Sequence, residues 1–528
     1  MSESKTGKKK SRFHGRGKKK KEAAPSKVKR RRGSAFVLLC ILFVSLTGAL
    51  AVTYEAADRK AAIAVSEAAF ELAGRSQLAC YDKDLFDRYS IFAFEGDEEQ
   101  TGRRIKKTAA DSIAKNEIAH CSVKDVEVEQ SAYSVADPDN FMLQLRKIEK
   151  KSVVPDTLRS LKDDLGVADK KIREKEKSSK TIEQLEKQRE AAKKAAAEAE
   201  QAAAQAGENQ AAEAAAAGQS LQDIEKTEKI QNDLKKNAKD ITDKADNRTI
   251  KDEDGGRELR NGEISENLPS RSAGKRSGSA FSGGTVIKDL STSGDSAVSD
   301  DLITIAYIES RFRNKLDPET SDKSFFKGEM EYILYGCMSD RENCGKAYRA
   351  IFTIRLAVNT AFLFTDPEKS SATMAAAEVL TPGAFAPLTR LLIITAWAAV
   401  EAENDMKNLE DGRGVPFLKS SSSWMTDIDS AVNGTSGEGY IPIPGNSIMK
   451  YHRYLEMLML TMDRDTKLYR CMDLIQINLK GTVRDDFTIA DHYTGLVISA
   501  SVSKKSHAAG VPGSEASIKM AHTYFTEK

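Results

Sequence analysis

A run of twenty uncharged residues, Ala35 to Tyr54 (AFVLLCILFVSLTGALAVTY), restricts this chain more than anything else in it. As a helix rising about 1.5 Å per residue, such a run crosses the ~30 Å hydrocarbon layer of a bilayer. A helix is the only single-segment form that satisfies its own backbone there. Arg30, Arg31 and Arg32 abut one end of the run, and Glu55, Asp58, Arg59 and Lys60 follow the other. Residues 1–32 hold fifteen Lys/Arg against two Glu, so +13 of a net +2 sits in the tail and −11 is left for the remainder. A Lys/Arg excess marks the cytoplasmic flank. The expectation is a cell-membrane protein that crosses once, N-terminus cytoplasmic and C-terminus extracytoplasmic. A cleaved signal peptide is the other reading, with small residues at Thr47-Gly48-Ala49 and Ala49-Leu50-Ala51. Against it, the apolar run exceeds the roughly 7–15 residues of a signal-peptide core.

The basic tail lies apart from any folded reader, which excludes a nucleic-acid-binding profile. Its natural partner is the lipid bilayer, where each basic residue near anionic headgroups contributes about 1 kcal/mol. Beyond the span the chain divides by composition. Residues 1–33 form a basic, disordered cytoplasmic tail, and 34–54 the transmembrane helix. Residues 55–155 form a membrane-proximal helical region with a short strand near 122–135. There the Ala-rich stretch to Cys80 continues the first helix to about residue 78. Residues 156–249 read as a helical hairpin or loose coiled coil rich in Ala, Lys and Glu. Residues 250–300, rich in Gly and Ser, read as a flexible linker. Residues 301–528 read as a mainly helical extracytoplasmic domain.

Within that domain, helical spacing recurs at 301–313, 327–336, 341–365, 367–380, 385–409 and 447–480. The Tyr- and Met-rich stripe Tyr451, Tyr454, Leu455, Leu458, Met459, Met462 reads as core. A small β element is expected at 485–504, with a hairpin through His492-Tyr493-Thr494-Gly495. Leu388 to Val400 is apolar, but its thirteen residues include Arg390, so it reads as a buried core helix rather than a second span. The fold class is therefore mainly α.

Sites of chemistry are sought and not found. No phosphate-binding Gly-rich loop, His-Glu-x-x-His pair, EF-hand loop or Cys-x-x-Cys pair occurs. The six histidines (His14, His120, His452, His492, His507, His522) show no i, i+4 pair. Glu401, Glu403 and Asp405, taken at a spacing of two, do not share a helix face and read as a solvated helix end. The serines Ser420 to Ser423 have no base nearby in sequence and read as a loop. Asn433-Gly434-Thr435 fits a glycosylation acceptor. Of six cysteines, Cys40 lies in the span; Cys337 with Cys344, and Cys80 with Cys121, are conceivable bridges, leaving Cys471 over. No catalytic, cofactor-binding or metal-ligating residue is assigned, and no enzyme is expected.

Several phrases in fixed order carry a resemblance. They are the opening Ser34–Phe94, Gly328–Gly336 (GEMEYILYG), Ile354–Lys369, Trp397–Trp424 and Tyr451–Leu479. Together they resemble an uncharacterised family of single-pass membrane proteins of clostridia and related Firmicutes. Tyr81, Asp82, Leu85, Tyr89, Phe92 and Ala93 match the family's "YD..L...YGLFA" phrase; Ser90 replaces its Gly. The resemblance implies context, because such proteins tend to be encoded beside Flp-type (Tad) pilus and secretion-like assembly genes and are TadE-like in layout. This chain departs from true prepilins in carrying Leu38 where they carry Glu. The expected function is a membrane-anchored structural or assembly protein of the bacterial cell envelope, with protein partners in a pilus or secretion machinery. The alternative is an extracytoplasmic sensor or ligand-binding module. A membrane-tethered hydrolase has no supporting motif.

Overall fold

The computed structural model describes residues 32–116, 121–149, 156–205, 211–247, 257–259, 267–275, 295–317, 324–434, 441–445, 447, 449–506 and 512–525. The basic tail, and with it the disorder expected of it, lies outside them. Helix α1, Arg32–Leu78, runs 47 residues without a break. Its first half is bare: Phe36 is 69% exposed, Val52 70% and Tyr54 64%. At Glu55 the exposure drops to 9%, and Arg59 pairs with it at 3.5 Å. From there the helix buries Ala62, Ser66, Ala69, Phe70 and Ala73, residues three or four apart and so on one face.

That face meets a three-stranded antiparallel sheet in the order β2–β4–β5 (β2 Cys121–Glu129, β4 Gly495–Lys504, β5 Ser514–Thr523). Leu496, Ile498, Ala500 and Val502 alternate along β4 and pack beneath α1 and α3 (Glu98–Ala114), together with Ile105 and Ala109. A second, two-stranded sheet pairs β1 (Phe94–Glu95) with β3 (His492–Tyr493). The hairpin expected through residues 492–495 is therefore corrected. Tyr493 pairs back to Phe94, while Gly495 begins a strand in the other sheet. The hairpin instead joins β4 to β5, with Gly495 opposite Thr523 and Lys504 opposite Ser514.

The remaining helices gather in a larger core and in a smaller cluster around Leu234, Ala377, Leu388 and Ile393. In chain order these are α2 (Lys83–Tyr89), α4 (Pro138–Glu149), α5 (Asp156–Gln205), α6 (Ala211–Asp246), α7 (Pro269–Ser272), α8 (Asp295–Arg311), α9 (Glu329–Tyr335), α10 (Asp340–Thr365), α11 (Pro367–Leu380), α12 (Ala386–Glu410), α13 (Ile428–Asn433), α14 (Tyr451–Met459) and α15 (Arg464–Thr482). The Tyr/Met stripe is core as expected: Tyr454, Leu455, Leu458 and Met459 are fully buried. The single helix expected over 447–480 is instead two. Asp463 adopts an extended conformation and caps α15 through the Thr466 amide, which ends the preceding turn. Helix α12 contains Leu388–Val400 and is buried along most of its apolar length, as expected of a core helix.

Helices α5 and α6 form the expected antiparallel pair, held by Lys235–Glu186 (2.8 Å), Arg189–Gln231 (3.1 Å) and Lys193–Glu228 (2.7 Å). Nothing marks it as a coiled coil. It is also not a free spacer, because Leu161, Leu165, Ala168, Ala238, Ile241 and Ala245 at its open end belong to the main core. The linker expected at 250–300 is likewise corrected where it is described. Leu259 and Leu268 are buried, the Leu259 amide donates to the Met338 carbonyl (2.7 Å), and the Ser270 amide donates to Asp473 (2.9 Å). Apolar anchors widely spaced in a polar stretch leave no period to read.

One close approach inside the core sets a testable limit. The Val415 amide donates to the Met449 carbonyl at 2.9 Å, and this brings Gly414 against the Ser447 backbone. A methyl group at Gly414 would overlap the Ser447 carbonyl oxygen. Gly414→Ala is expected to destabilise the chain by about 2–4 kcal/mol, as overpacking against backbone does. A denaturant midpoint equal to wild type would show that this loop yields freely.

Candidate functional site

The apolar half of α1 carries most of the large hydrophobic side chains that stand exposed among the described residues. Its polar groups are satisfied within the helix: Ser45 Oγ donates to the Leu42 carbonyl (2.9 Å) and Thr47 Oγ1 to that of Phe43 (2.9 Å). What it presents outward is an uninterrupted apolar cylinder, joined through Glu55 to the folded body.

Where the N-terminal segment meets the C-terminal one, a polar cleft of about 740 Å³ opens beside Asp82, Glu95 and Arg484. Asp82 is the N-cap of α2, and its Oδ1 accepts from the Leu85 amide (2.9 Å). Its Oδ2 accepts from Arg484 Nη2 (2.5 Å) and faces His492 Nε2 (3.0 Å), while His492 Nδ1 donates to the Thr488 carbonyl (2.9 Å). Arg484 also reaches Glu95 at 3.1 Å. Burial opposes charge on Asp82, yet the His492 hydrogen bond, the Leu85 amide and the Arg484 charge together bring its carboxyl down to about 2. Asp82, Glu95 and His492 cluster as metal ligands would. Both oxygens of Asp82 already have partners, Oδ1 in the Leu85 amide and Oδ2 in Arg484 and His492. The arrangement is a clasp that ties α2 and β1 to α15 and β3.

A second polar group lies deep in the body and corrects the reading of 401–405. Glu401 and Asp405 are four apart on α12, face the same side, and are fully buried. Lys419 Nζ donates to both (2.5 and 2.6 Å) and to the Ser423 carbonyl (2.9 Å). Arg355 donates to Asp405 (2.9 Å) and to the Pro416 and Phe417 carbonyls. The amides of Met425 and Thr426 donate to Glu401. Glu403, two residues from each carboxylate, points elsewhere and pairs with Lys407 (3.2 Å). The spacing of two had hidden the spacing of four.

This cluster also places the serine run. Ser420, Ser422 and Ser423 hydrogen-bond to one another. Lys419 beside them uses its three N–H groups on Glu401, Asp405 and the Ser423 carbonyl. Ser421 donates instead to the Asp366 carboxylate at 3.1 Å, on the exposed side of the run, and the run forms a turn, as its sequence suggests. All six cysteines are free, so neither conceivable bridge forms. Burial pushes the Cys344 and Cys471 thiols well up, which keeps them unreactive. His14, His120, His507 and Thr435 of the glycosylation pattern lie outside the described residues.

Taken together, these features define a mainly helical body built onto one long helix whose first half is long and apolar enough to cross a membrane. Residues 223–504, more than half of the chain, match a family of unknown function (DUF5702), and the protein belongs to that family. No curated protein and no solved structure matches the chain. The matched segment holds the buried Lys419 cluster and β4, and leaves out α1, β2 and β5.

Proposed function

We propose that the protein is a membrane-anchored structural or assembly subunit of the bacterial cell envelope, working with Flp/Tad-type pilus or secretion machinery. Its basic tail lies in the cytoplasm and its body outside. One observation carries this reading: α1 is a single helix that is bare and apolar over its first half and core over its second. A membrane helix of this kind is rigidly coupled to the folded body. Exposure falls at Glu55, so the body sits against the bilayer surface rather than out on a stalk. Ser45, Thr47 and Gly48 supply small and hydroxylated positions where another apolar helix can approach. The Firmicutes family context and the TadE-like layout support the same reading. No chemistry is assigned to the body.

Cross-linking in native cells, followed by recovery of this protein and mass spectrometry of its partners, tests the proposal. Pilin or pilus-platform subunits are the expected partners. Recovery of unrelated envelope proteins alone would sink it. A second reading, a sensor or ligand-binding module, is favoured by the polar cleft at Asp82 and Arg484. It predicts a ligand-induced rise in the melting temperature of the full chain.

A further inference from the structure

Helix α14 carries His452 and Glu456 one turn apart, and α8 brings Glu309 to the same place. One carboxylate oxygen of each glutamate and one ring nitrogen of His452 lie within 4.8 Å of one another. The floor of the cluster is Glu456, fully buried, whose Oε1 has no hydrogen-bond partner. Its Oε2 is held by Arg453 Nη1 at 2.6 Å, and the other arm of Arg453 reaches Glu309 Oε1 at 3.3 Å. The mouth is open, for Glu309 is about one-third exposed and His452 half-buried.

A buried carboxylate oxygen with no partner is costly to leave in a core. The Asp82 cluster differs, because both oxygens of its buried carboxylate have partners. Here Arg453 satisfies one oxygen of each glutamate. It also neutralises one of two negative charges, leaving the group at −1 to meet a dication.

We propose that Glu309, His452 and Glu456 bind a divalent transition-metal ion of the zinc class. A ring nitrogen beside two carboxylates selects such ions over calcium and magnesium, which take oxygen ligands. Three protein ligands leave a position to water or to a group from a partner. The ion would tie α8 to α14 across the 142 residues of chain between Glu309 and His452. This is a property of the body alone and does not depend on the assembly role.

The test uses the untagged full chain in detergent, stripped with a chelator and titrated with Zn²⁺ or Co²⁺. One equivalent is expected to bind to wild type, with visible d–d absorption for Co²⁺. Glu309→Gln and His452→Ala, both at the open mouth, are expected to weaken binding on the order of tenfold or more while the metal-free melting temperature stays put. In wild type, Zn²⁺ is also expected to protect His452 from diethyl pyrocarbonate, read by mass spectrometry. That readout needs no variant to fold. Equal affinity in both variants, unchanged reactivity of His452, or no binding to wild type below about 1 mM would each overturn the proposal.

Discussion

Asp405→Ala is expected to destabilise the protein by roughly 3–5 kcal/mol, the usual effect of removing one partner from a buried ion group. Lys419 would then keep Glu401, and Arg355 would be left with the neutral acceptors Pro416, Phe417, Asn359 and Tyr454, in a region where all four charged side chains are fully inaccessible. Arg355 and Lys419 hold the Asp405 carboxyl below the usual range although burial pushes it the other way. A folded-state value below the unfolded one gives stability that is present above about pH 4 and lost as the pH falls through the folded value. For a body of this size the melting temperature should drop by about 3–5 °C. Arg75→Ala, which breaks an exposed pair with Glu71, is the control and should change stability by less than about 1 kcal/mol. If both variants melt together, the buried cluster is not what pins the 415–426 loop to α10 and α12.

The second large effect runs the other way with pH. Glu331 is fully buried; its Oε1 accepts from the Lys315 amide (3.1 Å) and from the Tyr451 hydroxyl (2.9 Å), while Oε2 has no partner. Burial pushes its carboxyl up from 4.5 to about 7, and that of Asp473 from 3.8 to about 6. For such groups the unfolded chain releases its proton first. Stability is therefore greatest below the unfolded values, falls as the pH rises toward 7, and is level above that. Glu331 alone accounts for about 3 kcal/mol of this fall. Glu331→Gln keeps the accepting oxygen and cannot ionise. Between pH 5 and 8 its unfolding free energy should show a shallower slope than wild type, and at pH 8 it should be the more stable. Denaturant unfolding across that range decides the matter, and an unchanged slope would mean that Glu331 is ionised in the fold.

How much of this was legible in the sequence differs by element. Helix α1 was readable from end to end, because an uncharged run and an Ala-rich continuation without Pro admit little else. Leu388–Val400 was readable as core through its length and Arg390, whose guanidinium reaches Ser370 at the surface of α11 (2.7 Å). Strand β5 was not. Ser514–Thr523 is an edge strand with one half-exposed face, and only Ile518 and His522 are buried in it. The clasp joins Asp82 to His492 across 410 residues, a pairing that no local spacing encodes. Glu401 and Asp405 were within reach, because i and i+4 is the ordinary spacing of helix neighbours. So was His452 with Glu456, at the same interval, had carboxylates been paired with histidines.

The order of strands in the sheet bears on synthesis. Strand β2 is made early and its neighbour β4 some 366 residues later, counted from Glu129 to Gly495. At roughly 5–20 residues per second, β2 waits on the order of twenty to seventy seconds for a partner. During that interval α1 and α3, which share its hydrophobic cluster, can shelter its apolar side. The first helix thus shelters a sheet that closes only once β4 and β5 have been made, and a truncation that removes β4 would leave β2 with an unpaired edge.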